Sequence, residues 1–179
     1  MSLVLDGTAG MIAPQGAVYN GIQSGTAVAS TSGTSIDFTS IPSWVKRITV
    51  MFSGMSITAT SNFLMQLGTS GGIVSSGYVS GTMTGASASN TVATSTAGVP
   101  LISNASTTII NGSVVFTLLN SATNLWSASG AYGGTSSGVA VGGSTGGSVT
   151  LSGVATTIRI TTVSGTNTFT AGSINILYE

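Results

Sequence analysis

The chain has no cysteine, no histidine and almost no charge: three basic and three acidic residues in 179 positions, 3% where an ordinary globular protein carries roughly 25%. Lacking cysteine, it can form neither disulfides nor thiolate nucleophiles. Lacking histidine as well, it is without the usual neutral-pH proton shuttle and without the two commonest zinc ligand types. The carboxylates, Asp6, Asp37 and Glu179, are far apart in sequence, whereas acid–base work on sugars needs two carboxyl groups about 5 to 10 Å apart. The expectation is a protein that is not an enzyme, with no catalytic residue, metal ligand, cofactor-binding residue or cofactor. Lys46, Arg47 and Arg159 are too few to draw affinity from phosphates, so no nucleic-acid partner is expected either. Asp6-Gly7 reads as a turn, short of the oxygen donors that calcium needs. Gly133-Gly134 lacks the Gly-Lys-Ser/Thr ending of a phosphate loop. No run approaches the roughly 18 apolar residues of a membrane helix, and the start has neither a basic nor an apolar leader region, so neither membrane insertion nor a signal peptide is expected.

What the chain does have is 41% hydrophobic residues and 26 glycines. Apolar residues are not sustained at helical spacing, while alternation with period two recurs. In Trp44 to Phe52, Ile48, Val50 and Phe52 point one way and Arg47, Thr49 and Met51 the other, the pattern of a half-buried strand. Further strands are expected at 35–39, 63–67, 73–83, 99–102, 107–119, 125–132, 139–141, 148–152, 156–162 and 168–178. Turns are expected at Gly71-Gly72, Asn111-Gly112, Gly133-Gly134, Gly142-Gly143, Gly146-Gly147 and Ser164-Gly165. About nine or ten short strands at this spacing predict an all-β fold, an antiparallel β-sandwich of jelly-roll type. Residues 1–33 show no convincing alternation and read as an extended N-terminal arm or attachment segment ordered by a neighbouring chain, with the sandwich domain at 34–179.

The segments 81–98 and 130–147 resemble low-complexity sequence and read as surface loops or as loops that present hydroxyls and amides to a partner. Among the aromatics, Phe52, Phe63, Phe116 and Phe169 read as core, and Trp44, after Pro42, as a plug at the sandwich end. Tyr78, Trp126 and Tyr132 sit among Ser, Gly and Ala, and are either core residues or a flat face on which a sugar could stack. Arg159 lies between Ile158 and Ile160 and so faces away from the core, either solvated or paired with Asp37 or with a neighbouring subunit. A Thr-rich ice-binding or adhesin surface would need a regular Thr-x-Thr ladder, and a membrane barrel would need aromatic girdles; neither pattern is present.

Three stretches, Leu3 to Thr8, Ile41 to Phe52 and Ala171 to Glu179, resemble those of tailed-bacteriophage virion structural proteins, in particular tail fibre and receptor-binding C-terminal domains. The resemblance implies a non-enzymatic component of the virion, assembled in the host cytoplasm and exposed on the extracellular particle. It further implies a homotrimer that touches other virion proteins through the N-terminal arm and a host surface glycan or protein through its loops. It supplies no binding motif, and the chain shows no fibre shaft, which leaves a capsid decoration protein on the phage head as the alternative. Near-zero net charge suits close packing of copies, and strand edges left open would demand subunit pairing.

Overall fold

The computed structural model describes residues 4–6, 10–12, 18–19, 21–86, 89–103, 105–163 and 165–179, with side chains from residue 21 onward except those of 86 and 89. Gly7 and Ser164, of the turns expected at Asp6-Gly7 and Ser164-Gly165, lie outside the described residues. The protein is all-β, in antiparallel sheets. Three short strands, β1 (Val4–Asp6), β2 (Gly10–Ile12) and β3 (Val18–Tyr19), form a small sheet in the order β1-β2-β3.

The sandwich follows. Its large sheet contains β7 (Arg47–Ile57), β10 (Val79–Ala86), β11 (Ser89–Ser95), β13 (Ile109–Asn120), β14 (Leu125–Ser136), β15 (Val139–Thr150) and β17 (Phe169–Tyr178). The order is β11-β10-β15-β14-β13-β7-β17, and β4 (Gln23–Ser24) and β5 (Val28–Ala29) pair on the far side of β17. Its small sheet runs β12-β8-β16-β6, from Val99–Leu101, Phe63–Thr69, Thr157–Thr162 and Ile36–Phe38, with β9 (Gly72–Ile73) beside β8.

This connectivity is a jelly roll. The chain passes from β6 in the small sheet to β7 in the large, back to β8, across to the hairpin β10-β11, back to β12, across again to β13-β14-β15, and returns as β16. The seventh strand of the eight-strand pattern is expanded into the three-stranded meander β13-β14-β15, which widens the large sheet, and β17 adds a strand beyond β7.

Alternation places the core between the sheets. On β7 the burial follows parity, with Ile48, Val50 and Phe52 enclosed and Arg47 exposed. They meet Val114 and Phe116 of β13, Ile174 and Ile176 of β17, and Phe63, Met65, Leu67, Ile158 and Ile160 of the small sheet in one core. Phe63 and Phe169 stack with ring centroids 6.1 Å apart. Trp44 does not plug the sandwich end: it is half-exposed and packs on Tyr178 at 6.0 Å, because the chain turns there, outside the inter-sheet space.

Several expected turns are strand interiors. Asn111-Gly112 lies at a bulge within β13, Gly133-Gly134 runs through β14, and both Gly142-Gly143 and Gly146-Gly147 lie inside the single strand β15, so the strands expected at 139–141 and 148–152 are one. The segments read as loops, 81–98 and 130–147, are mainly the hairpins β10-β11 and β14-β15, the latter turning at Ser137-Gly138, both with positive φ. Conversely, the strand expected over 73–83 is broken by a bend at 74–78, where Gly77 has φ +80°. Among the described residues twelve strands stand between 34 and 179, more than the nine or ten expected: the bend splits β9 from β10, and β11 lies in a segment read as a loop. Glycine occurs mid-strand because space is needed there: a side chain at Gly143 would enter the ring of Tyr132 and the backbone of Met83.

The segment 21–33, expected to be ordered by a neighbouring chain, is bonded at 23–25, 28–30 and 33 to this chain's own β17. Besides β4 and β5, the buried Ser30 donates its hydroxyl to the Ala171 carbonyl and its amide to the Gly172 carbonyl. Gly143→Ala is expected to destabilise the fold by about 1–3 kcal/mol through overpacking against Tyr132, read as a lowered midpoint in thermal unfolding.

Candidate functional site

The three aromatic candidates are inside the protein. Tyr78, Trp126 and Tyr132 are 1%, 2% and 5% exposed, so no sugar can stack on them, and the expectation of a ligand face there is corrected. The reason is parity. Trp126, Ala128 and Tyr132 occupy alternate positions of β14, the same face, and that face looks at the small sheet.

Their polar ends are used internally. The Tyr78 hydroxyl accepts the Leu67 amide at 2.7 Å. Burial pushes its pKa up to about 12, against the opposing effect of that hydrogen bond. The Tyr132 hydroxyl lies 2.8 Å from Thr82 Oγ1 and 2.6 Å from Thr84 Oγ1, and accepts the Ile102 amide at 3.0 Å. Thr82 spends its own proton on the Ser144 carbonyl, so Tyr132 donates to Thr82 and accepts from Thr84. Thr145 donates to the Pro100 carbonyl at 2.7 Å. Together these bonds stitch β10, β14 and β15 of the large sheet to the β12 segment of the small one. Trp126 packs in the core with its Nε1 unpartnered among the described residues.

What the surface offers is different. On the outer face of the small sheet lies a polar groove of about 330 Å³ that includes Thr34, Leu64, Gln66, Ser75, Arg159 and Thr161. Arg159 does pair with Asp37, its opposite number across β16 and β6: Nε donates to Oδ1 at 2.8 Å and Nη2 to Oδ2 at 2.7 Å. The Asp37 hydrogen bonds push the guanidinium further toward its charged form, and partial burial opposes them. Held in this fork, the arginine presents a fixed donor edge at the groove. Gln66 is fastened by its amide to the Ala97 carbonyl at 2.8 Å, and Thr161 to the Thr34 carbonyl at 2.8 Å. The groove can therefore hydrogen-bond a neutral polar ligand. Among the described residues no group of three His, Cys, Asp or Glu side chains gathers to hold a metal ion. Sequence reading flagged Arg159 and Asp37 but missed Gln66 and Thr161; the outward parity of Thr157, Arg159 and Thr161 is the signal that could have found Thr161.

The stretches 41–52 and 171–179 are neighbours in the large sheet. β7 and β17 pair from Ile48↔Tyr178 to Phe52↔Ile174, and the ladder is closed by Lys46 and Arg47 amides on the Glu179 carbonyl and by an Arg47–Glu179 ion pair at 3.1 Å. No protein-family model, curated protein or solved structure matches this chain.

Tyr132→Phe is expected to cost about 1–3 kcal/mol in chemical denaturation by leaving the Ile102 amide and the threonine hydroxyls short of a partner. For Tyr78, the unfolded chain releases its proton near pH 10 while the native side chain holds it to about 12. Its stabilising contribution is thus complete below pH 10 and lost as pH rises from 10 to 12. Wild-type protein should lose more stability over that interval than Tyr78→Phe, measured by denaturant titration at each pH.

Proposed function

We propose that this chain is a non-enzymatic structural protein of a tailed-bacteriophage particle, a tail fibre or receptor-binding module acting in host attachment. The observation that carries the reading is the β7-β17 ladder: the Ile41–Phe52 and Ala171–Glu179 stretches that resemble virion proteins are hydrogen-bonded to each other along adjacent strands of the large sheet. A jelly roll with six charges and no histidine suits a part that must keep its shape outside the cell, because little in it titrates near neutrality. Copies associate as a homotrimer, and the N-terminal segment meets other virion proteins. The surface we assign to a host glycan or protein is the Arg159 groove, in place of the buried aromatics.

The second reading is a capsid decoration protein. It draws on the separate sheet β1-β2-β3 and on the way residues 21–33 add to β17, the manner in which an N-terminal segment could lace onto a neighbouring subunit.

Both readings are tested on the purified particle. Gold-labelled antibody should decorate tails in electron micrographs; label over the head lattice would transfer the assignment to the decoration protein, and an unlabelled particle would remove both. On a glycan array, Arg159→Ala should reduce any signal of the wild-type protein by about tenfold or more, the loss of one hydrogen bond to a charged group.

A further inference from the structure

Among the described residues, each sheet edge in the sandwich but one is protected. In the small sheet, β12 has three residues, all buried, with Pro100 in the middle, and β6 has three with Asp37 at its centre. In the large sheet, the β17 side is covered by β4 and β5, two residues each. Proline, charge, shortness and cover are the ordinary devices against edge-to-edge pairing. The other edge of the large sheet is β11, seven residues without proline or charge, and among the described residues β10 alone pairs with it.

The surface beside that edge is apolar. Val92 is 68% exposed, its cross-strand partner Met83 50%, and Val79 77%. Met83 and Val92 border a shallow depression of about 500 Å³ whose floor includes Gly81 and Gly146, where no side chain fills the surface. A second depression of about 460 Å³ adjoins it along Val79 and Thr94.

Charge names the occupant. From Ile48 to Ile158 the chain has no Asp, Glu, Lys or Arg. The charged side chains of the sandwich belong to β6, β16, the start of β7 with Lys46 just before it, and the residue after β17, on the opposite side of both sheets from β11 and β12. A charged partner would find nothing on this flank to pair with and would lose hydration on contact. A second copy brings an equally uncharged strand edge and apolar patch, with no like charges to repel it.

We propose that the β10-β11 flank, centred on Met83, Val92 and the open edge of β11, is the surface through which copies of this chain associate. It rests on the self-assembly part of the functional reading and assigns the contact within it. With no charge at the interface, association varies little with salt.

The test is the mass of the full chain by light scattering at micromolar concentration, in low and high salt, for wild type, Val92→Lys and Met83→Lys. These side chains are already solvent-exposed, and circular dichroism and thermal melting check that the variants keep the fold. The expected result is a multiple of the 17.5 kDa chain mass for wild type in both salts, and a shift of at least tenfold toward dissociation in each folded variant. A wild-type oligomer that both lysine variants leave intact would overturn the flank assignment and spare self-assembly. A wild-type monomer would overturn both, and a photocrosslinker at position 92 that, in the assembled particle, joins this chain to a different protein would overturn the flank assignment alone.

Discussion

The hydroxyl of Tyr132 governs much of this molecule. It is reached from β10 by Thr82 and Thr84 and from the small-sheet side by the Ile102 amide, so one buried atom fixes how the two sheets meet. Because such a group is costly to leave unsatisfied in the interior, the strands around it have little freedom of register. Gly143 must lack a side chain to admit the ring. Thr82 and Thr84 must both point inward, and a strand has only two faces. Met83, between them, is thereby turned outward, and the pairing of β10 with β11 sets Val92 at its side. The interior hydrogen bonds and the exposed apolar flank are two sides of one alternation.

The sequence was most legible where apolar and polar residues alternate cleanly. Ile48, Val50 and Phe52 announced β7, and Ile158 and Ile160 announced β16 with Arg159 outside, so the all-β sandwich could be read directly. The meander β13-β14-β15 was obscure for a physical reason. Its glycines stand inside strands, where neighbouring backbone or the Tyr132 ring occupies the place of a side chain, and paired glycines in sequence alone resemble turns. The aromatic candidates were obscure for a related one. Trp126 and Tyr132 are surrounded in sequence by Ser, Gly and Ala, which suggests a surface, yet their even spacing with Ala128 was enough to place all three on one face. Choosing the inward face needed the partner strands, since Val114 and Phe116 reach that side only through the register of β13 with β14.

The candidate groove was half legible. Arg159 and Asp37 are 122 positions apart, and only the antiparallel pairing of β16 with β6 makes them opposite residues. An exposed pair of this kind contributes little to stability, roughly 0.2–1 kcal/mol. Its consequence is positional: the two forked hydrogen bonds hold a long, flexible side chain still at the border of the groove. Gln66, nearly enclosed although it faces outward, is held in the same way by the Ala97 carbonyl.

The segregation of charge from open surface ties these features together. Charges on a strand edge keep other strands away, and the sandwich spends most of its few ions on two pairs: Asp37 with Arg159 across β6 and β16, and Arg47 with Glu179, which closes the ladder that joins its first long strand to its last. The opposite flank is left without them, although lysine there would be the simplest protection for β11. An uncharged open edge, carrying exposed valine and methionine, is a hazard in a solitary protein and an advantage in one that is covered. The same composition that leaves the chain with so few ions thus leaves one face whose physical demand is to be buried.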